Sequence, residues 1–287
     1  MISVVLASCR SNALLFESLA ALLPQCRLLG AELVVARATP DQPDPALPSG
    51  CRVIPCPANA TIPELRGAGL TAARGDWVAL TEDNCLATPN WLVELSAGFS
   101  GDATVVGGTM GNAHPGRPVD SGAAFAEYGF FGPDQPAAAP GAAPLVTGAN
   151  VAYHRSLVGQ VAEWAVAGAW EDVIHGRLAV QGAVFRVMRR AVIEQNLHYR
   201  LADFCVDRYQ HGRDYARVRS SGLAPLSRIA HAAATPLLPP LLTSRVWRSA
   251  GRTAPASFLR ALPFTLAFLS AWAVGEAVGY LVPRSPR

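Results

Sequence analysis

Short apolar runs alternate with segments of helical spacing in the first part of the chain. Residues 2–7 form a β-branched run typical of a central parallel strand, and NALLFESLAALLPQC then places apolar residues at helical intervals as far as Pro24. Residues 32–36 and CRVIPC predict two more strands, and IPELRGAGLTAARG predicts a helix before a fourth strand, DWVALTEDN. Strands that alternate with helices predict an α/β fold, with a mostly parallel sheet flanked by helices.

The pattern beyond this point predicts fewer regular elements. DATVVGG indicates a further strand, and residues 132–144 are so rich in Pro, Ala and Gly that we expect a mobile loop. WEDVIHGRLAVQG predicts a helix with Glu171 and Asp172 in its first turn, where acidic side chains interact favourably with the helix dipole. LHYRLADFCVDRYQHGRDYARVR predicts a polar, arginine-rich helix.

The composition changes sharply near the carboxyl end. In residues 261–282 the only ionisable side chains are Glu276 and Tyr280, and the run is about long enough to cross a bilayer. We therefore predict a folded domain over 1–220, an amphipathic interfacial linker over 221–260 and a membrane-associated or transmembrane helix over 261–282. The prolines before this helix should keep the linker helices short, and Glu276 should face protein. A single crossing and a shallow position both stay open.

Composition and charge exclude some classes of function. The chain is 51% hydrophobic and 16% charged, below the roughly 25% charged of ordinary soluble domains, which favours membrane contact. A formal charge of +3 without interleaved basic and aromatic residues argues against nucleic-acid binding. The six cysteines lack zinc or C-x-x-C spacing, so we expect reduced cytosolic thiols, and MISVVLASC is too short and uncharged for a signal peptide.

The acidic end of the fourth predicted strand is the main candidate site. Glu82, Asp83 and Asn84 directly follow a buried strand, and parallel sheets bind ligands at the carboxyl ends of their strands. Carboxylate and amide oxygens suit Mg²⁺ or Mn²⁺ carrying a nucleoside diphosphate. A solvated turn or an Asx cap is the alternative interpretation of the same residues.

Five segments, taken in order, resemble the family 2 glycosyltransferases, which have the GT-A fold. The resemblance covers roughly residues 2–219, and the tail WAVGEAVGYL is similar to the carboxyl-terminal membrane segment of some bacterial members. The five segments are SVVLASCRSN, ELRGAGLTAARGDWVALTEDNC, PNWL, VTGANVAYHR and WEDVIHGRLAVQG.

The resemblance implies which residues bind the metal and the nucleotide of a nucleotide-linked sugar donor. Two registers are open: Asp83 is the principal metal ligand if the motif is an acidic pair, and Asn84 is if the outer positions of the motif count. We favour Asp83, because Asn84 occupies the last slot, where the family has an aspartate, and an amide is a weaker metal ligand than a carboxylate. His198 falls where many members place a histidine near the diphosphate. The residues implied to contact the donor nucleotide are Ser8, Arg10, Arg66, Glu82 and Asp83.

The acceptor side follows from the same resemblance. Asp172 matches the catalytic base, which takes the proton of an acceptor hydroxyl as it attacks the anomeric carbon with inversion. Glu171 would orient the acceptor, and Trp170 would offer a flat face to a sugar ring unless it packs in the core.

The function implied is metal-dependent, inverting sugar transfer from a UDP- or GDP-linked donor to a hydroxyl of a lipid-linked or cell-envelope glycan. The expected location is the cytoplasmic face of the bacterial inner membrane, because arginines precede the apolar tail. Transfer to polyprenyl phosphate is an alternative, with Arg177, Arg208 and Arg213 as candidate phosphate-binding residues. A non-catalytic nucleotide-sugar-binding or membrane scaffold protein is another, motivated by Asn84 and by Arg37 standing where many members have a uracil-binding aspartate.

Overall fold

The computed structural model describes residues 1–38, 46–135, 146–220 and 222–282, without the side chain of Val218. Most of the loop predicted over 132–144 lies outside these residues. The chain divides into two compact units, of which the first is Met1–Ala113 with Ala137–Asn196 and the second is His114–Pro136 with Leu197–Arg287. The domain boundaries predicted from the sequence stay a prediction.

The first unit is built on one eight-stranded sheet. Its strands are β1 (Ile2–Ser8), β2 (Glu32–Arg37), β3 (Cys51–Pro55), β4 (Trp77–Glu82), β5 (Cys85–Ala87), β6 (Val105–Asn112), β7 (Val151–His154) and β8 (Phe185–Gln195). Its helices are α1 (Asn12–Leu29), α2 (Ile62–Ala72), α3 (Trp91–Ser96), α5 (Arg155–Val166) and α6 (Glu171–Val180).

The sheet is mixed, in the order β3-β2-β1-β4-β7-β6-β8-β5. The pairs among β3, β2, β1 and β4 are parallel, as is the pair β6 and β8. Strand β7 runs antiparallel to both β4 and β6, and β5 runs antiparallel to β8. Side chains such as Val5, Val34 and Val78 are fully buried, because helices cover the central strands. The α/β class predicted from the sequence is confirmed.

Helix α1 is longer than predicted. The sequence pattern ends it at Pro24, but the helix continues to Leu29 with Pro24 inside it. Leu22, Leu23 and Cys26 on both sides of the proline are buried, and this packing holds the helix through a residue that lacks a backbone N–H. Gly30 ends it in the left-handed conformation, with φ of 60° and its N–H donated to the Arg27 carbonyl.

The second unit is helical. Its helices are α4 (Pro118–Tyr128), α7 (Leu201–Ser220), α8 (Pro225–Ala234), α9 (Leu238–Val246) and α10 (Pro255–Leu281), with 3₁₀ turns at Gly129–Phe131 and Thr235–Leu237 and a π-helical turn at Trp247–Gly251. Helix α9 is short, as the prolines of its segment predict, and α8 is of similar length. Phe204 of α7, Phe268 of α10 and Ala123 of α4 meet in one buried cluster.

Helix α10 contains the apolar segment predicted from the sequence. Among the described residues it is the one helix long and apolar enough to cross a membrane, and 39% of its most apolar window is buried. Glu276 is buried and its Oε2 accepts a hydrogen bond of 2.9 Å from the Trp272 indole N–H. Glu276 therefore faces protein, as expected for an acidic residue in an apolar helix.

Candidate active site

Asp83 is held where β1 and β4 end. One of its carboxylate oxygens, Oδ2, accepts hydrogen bonds of 2.8 Å from the Ser8 hydroxyl and 2.8 Å from the Arg10 backbone N–H. The side chain is fully buried, and its other oxygen, Oδ1, has no hydrogen-bond partner among the described residues. Burial raises the pKa of Asp83 although both hydrogen bonds act to lower it. A buried carboxylate oxygen without a donor is a suitable ligand for a divalent cation.

A buried cation stands beside Ser8. Arg37, at the end of β2, donates from Nη1 to the Ser8 hydroxyl and from Nη2 to the Asn12 amide oxygen. Arg37 is buried and lies where the resemblance would place a base-reading aspartate. The carboxyl ends of β1, β2 and β4 therefore bring together one buried carboxylate, that of Asp83, and one buried guanidinium, that of Arg37.

Arg66 links two distant acidic residues. Its Nη2 pairs with Oε1 of Glu82 at the end of β4, and its Nη1 donates to Oε2 of Glu171 at 2.9 Å. The Arg66 side chain is 7% exposed, and its guanidinium lies 5.9 Å from the ring centroid of Trp170. Two carboxylates that share one arginine bring the end of β4 and the start of α6 into a single polar site.

Local structure explains why Arg66 reaches this site. Helix α2 begins with a capping box in which the Thr61 side chain accepts from the Glu64 N–H, while the Glu64 side chain accepts from the Thr61 N–H. Pro63 stands in the first turn, so the start of the helix is firmly defined. Gly148 leaves room for the guanidinium, since a Cβ there would lie 2.2 Å from Arg66 Nη1.

Glu171 and Asp172 open α6 but have different surroundings. Burial alone would raise the pKa of Glu171, yet the Arg66 guanidinium more than offsets this and holds the pKa below its usual range. Asp172 reaches the surface. Even so, the protein around its carboxyl removes enough water to raise the pKa of Asp172, and the nearby Glu171 carboxylate adds to the rise. Glu171 is therefore the fixed anion, and Asp172 is the better proton acceptor.

Trp170 is not a core residue, because it is 45% exposed. It lies directly before α6, against the Arg66 guanidinium. Its indole is thus partly available at the surface beside the two acidic residues. A sugar ring would stack on such an exposed face.

The other two predicted metal ligands have different surroundings. Asn84 is buried next to Asp83, and its amide oxygen has a long contact of 3.6 Å with the Cys85 thiol. His198 belongs to the second unit, where its Nδ1 lies 2.8 Å from Asp120 Oδ2. An Nδ1–H donated to a carboxylate leaves the lone pair on Nε2, the arrangement that a metal-binding histidine uses. The metal role of both residues stays a prediction.

Within the described residues, no group of three or more His, Cys, Asp and Glu side chains is arranged to hold a metal ion. Mg²⁺ is usually held by one or two carboxylates together with substrate phosphates, rather than by a cage of protein ligands. The unsatisfied Oδ1 of Asp83 fits a metal that arrives with a nucleoside diphosphate.

One buried polar pair behind the site is not predicted from the sequence. The Tyr153 hydroxyl lies 2.7 Å from Nε2 of His175, which is on α6 one turn after Glu171. Burial lowers the pKa of His175 to about 4, so the ring is neutral and Nε2 accepts from the tyrosine. This bond fixes α6 to β7, and Glu171 at the start of α6 is thereby held beside Arg66.

The fold is similar to that of a solved glycosyltransferase. The mannosyltransferase PcManGT from Pyrobaculum calidifontis, in complex with GDP-Man and Mn²⁺, is 16% identical, with a TM-score of 0.53 over 96% of this chain and 86% of that one. Glucosyl-3-phosphoglycerate synthase from Mycobacterium tuberculosis, in complex with Mn²⁺, UDP and phosphoglyceric acid, is 18% identical, with a TM-score of 0.45 over 71% of this chain and 72% of that one. No family model and no curated protein matches this chain.

The likeness to the mannosyltransferase concerns the fold. It extends over nearly the whole chain, including the mixed sheet and the helices of both units. The GT-A fold predicted from the sequence is confirmed by this comparison.

Proposed function

We propose that the protein is a metal-dependent glycosyltransferase that moves a sugar from a nucleoside diphosphate donor to an acceptor hydroxyl. The observation that carries the proposal is the Arg66 link between Glu82 and Glu171, which joins the acidic end of β4 to the helix that bears Asp172. The fold shared with a mannosyltransferase in complex with GDP-Man and Mn²⁺ supports the same class of reaction.

The donor diphosphate would bind where β1 and β4 end. Oδ1 of Asp83 would hold Mg²⁺ or Mn²⁺, and the bound metal would neutralise charge on the departing diphosphate. Ser8 and the Arg10 backbone N–H orient the Asp83 carboxylate through its other oxygen. We assign Asn84 to the same metal and Glu82 to the donor ribose, following the resemblance.

Asp172 would act as the general base. A base on the face opposite the diphosphate takes the hydroxyl proton as oxygen attacks the anomeric carbon, so a single displacement inverts the configuration. Its raised pKa moves Asp172 towards the working pH, which improves a general base. Glu171 would orient the acceptor while Arg66 fixes its carboxylate.

We further propose that the acceptor is a lipid-linked or cell-envelope glycan, used at the cytoplasmic face of a bacterial inner membrane. The apolar helix α10 supports a membrane location. Transfer to polyprenyl phosphate is a second candidate, favoured by Arg208 of α7. This arginine is buried, its Nε has no hydrogen-bond partner among the described residues, and its guanidinium lies 4.5 Å from the Trp272 ring centroid. A phosphate would supply such a buried cation with a charged partner.

The proposal is tested with purified full-length protein and radiolabelled UDP- and GDP-linked hexoses, each with Mn²⁺, Mg²⁺ or EDTA. We expect hydrolysis or transfer with one donor class and loss of the signal in EDTA. Polyprenyl phosphate and a bacterial lipid extract serve as acceptors in parallel reactions.

Asp83→Asn and Asp102→Asn form a matched pair of variants. Asp102 is an exposed aspartate outside the site, so its variant should keep the activity. Asp83→Asn should lose metal-dependent donor binding in calorimetry. Binding of Mn²⁺ and nucleotide by Asp83→Asn at the wild-type affinity would contradict the metal assignment, and no turnover with any donor would favour the non-catalytic scaffold.

A further inference from the structure

We infer that the second unit binds the surface of an anionic bilayer without crossing it, through the outward apolar faces of α8, α9 and α10. The inference develops the membrane location proposed above and does not depend on sugar transfer. It rests on which side chains these helices expose, which they bury, and which helix lies beside α10.

Helix α8 exposes its apolar face and turns its polar face towards the protein. Its outward stripe has the spacing i, i+3, i+4 and i+7 and consists entirely of apolar side chains: Leu226, Ile229, Ala230 and Ala233. Leu226 is 81% exposed and Ile229 is 55% exposed. A helix that faced water would carry polar residues at these positions.

The polar residues of α8 point into the protein instead. Arg228 donates from Nε and Nη2 to the Tyr280 carbonyl at 2.9 and 2.8 Å. His231 is also half-buried, and its ring lies 5.2 Å from the Tyr280 ring. The helix thus satisfies its polar groups internally and turns its leucine and isoleucine outwards, as a protein does where its surroundings are apolar.

The neighbouring helices extend this apolar face. In and before α9, Leu237 and Leu241 are exposed. The exposed stripe of α10 runs at intervals of seven or eight residues, about two helical turns, through Leu259, Leu266, Val274 and Leu281. Beyond Arg260, the exposed side chains of this helix carry no charge as far as residue 282.

Charge selects an anionic bilayer as the partner. Among residues 222–282 the one acidic side chain, Glu276, is buried, whereas four arginines are exposed: Arg245, Arg248, Arg252 and Arg260. Arg245 and Arg248 continue the stripe of Leu241 along α9 and its π-helical end. Exposed leucines with adjacent arginines and no competing carboxylate fit a membrane interface rich in anionic lipid.

Helix α7 argues against a crossing. It runs alongside α10 in parallel, with Phe204 packed on Phe268 at 4.7 Å between ring centroids. Farther along, the two backbones approach so closely that a Cβ on Gly275 would lie 2.0 Å from the Tyr209 carbonyl oxygen. Most of the apolar part of α10 is therefore accompanied by α7.

The outer face of α7 is acidic and polar. Asp203, Asp207, Gln210 and Asp214 are exposed along it. If α10 crossed the bilayer with its packing intact, these carboxylates would enter hydrocarbon, where ionised side chains are strongly disfavoured. The unit therefore lies on one leaflet, with its apolar stripes towards the lipid and α7 towards water.

Binding is tested by sedimentation of the purified full-length protein with phosphatidylglycerol vesicles or phosphatidylcholine vesicles, without donor or metal. We expect binding to the anionic vesicles, weaker binding to the zwitterionic ones, and weakening of the first by salt. Leu226→Asp with Ile229→Asp should lower the partition coefficient at least tenfold. The control Leu28→Asp, at a leucine of α1 that is 75% exposed, should leave it unchanged.

Substitution of Arg245 and Arg248 tests the electrostatic contribution to vesicle binding. Arg245→Gln with Arg248→Gln should lower binding to anionic vesicles by about fivefold for each arginine, and reduce its salt dependence. Circular dichroism checks that every variant is folded. Equal binding by the α8 double variant and wild type, or no vesicle binding by wild type, would overturn the inference.

Topology is tested in bacterial cells with protease-sensitive tags at either terminus. We expect both tags to be cleaved in inverted membrane vesicles and both to be protected in spheroplasts. Tags accessible from opposite sides would show that α10 crosses. An Asp172→Asn variant should bind vesicles like wild type, so a failure of the sugar-transfer proposal is distinguishable from a failure of this one.

Discussion

Replacement of Arg66 by methionine is the most informative perturbation of the site. The substitution keeps a long apolar side chain but removes the guanidinium shared by Glu82 and Glu171. The carboxylate side chains are only 9% and 22% exposed, so both lose their partner in surroundings with little water. Removing one member of a buried ion pair destabilises a protein by roughly 3–5 kcal/mol.

The cost of protonating a glutamate gives a similar estimate of the loss in free energy of unfolding. An unpaired buried glutamate avoids its charge by binding a proton, and protonating an ordinary glutamate at pH 7 costs about 4 kcal/mol. We therefore expect Arg66→Met to lower the free energy of unfolding by about 4 kcal/mol at pH 7. The penalty should shrink at pH 5, because Arg66 no longer holds down the pKa of Glu171, and burial then lets the folded variant bind a proton at Glu171 before the unfolded chain does.

Urea unfolding followed by circular dichroism at pH 7 and pH 5 measures both effects, and hydrogen exchange in α2 and α6 locates them. Arg27→Met, at an exposed arginine of α1, is the control and should stay within about 0.5 kcal/mol of wild type. Adding Glu82→Gln and Glu171→Gln to Arg66→Met should restore part of the stability. A loss below about 1 kcal/mol, or one that is the same at both pH values, would refute the reasoning.

Three further predictions concern other contacts of the described residues. The pKa of His175 is lowered to about 4, so the ring stays neutral in the folded state, whereas the unfolded chain binds a proton below about pH 6.5. The contribution of His175 to the free energy of unfolding is therefore complete above pH 6.5 and falls by up to about 3 kcal/mol towards pH 4. Urea unfolding of His175→Gln at a series of pH values should lack this part of the pH dependence. Gly148→Ala should destabilise by about 1–3 kcal/mol, measured in the same way, because its methyl group would meet the pinned Arg66 guanidinium. Asp120→Ala should cost about 2 kcal/mol and lower the melting temperature, because Asp120 accepts hydrogen bonds from the Tyr199 N–H and His198.

The strands of the first unit were predictable because burial leaves a local signal. Residues of β1, β2 and β4 are buried almost without interruption and show as continuous apolar runs. Strand β8 was not predicted, since it is only partly buried over much of its length and carries Arg189 and Arg190 at exposed positions. Helix α1 passes through Pro24 because its packing, which no local rule reports, outweighs one missing hydrogen bond.

The sequence indicates which residues belong to the site from their chemical type, but it does not predict which residues they contact. The segments holding Arg66 and Glu171 are 105 residues apart in the chain, and no spacing rule joins them. The Tyr153–His175 bond is likewise a product of the packing of β7 and α6. The sequence does locate Asp83 at the sheet edge, because a buried strand ending in acid is a local pattern. That one of its oxygens lacks a partner becomes visible only when the neighbouring strand is in place.

The most direct test of the proposed chemistry is the rate of sugar transfer by Asp172→Asn, measured beside the calorimetric affinity of the same variant for Mn²⁺ and the nucleoside diphosphate. Because Asp172 would act only as the proton acceptor, we expect the rate to fall by roughly 10²–10⁴-fold while the affinity stays within about twofold of wild type. Transfer by Asp172→Asn at the wild-type rate would contradict the assignment of the base and the displacement mechanism built on it.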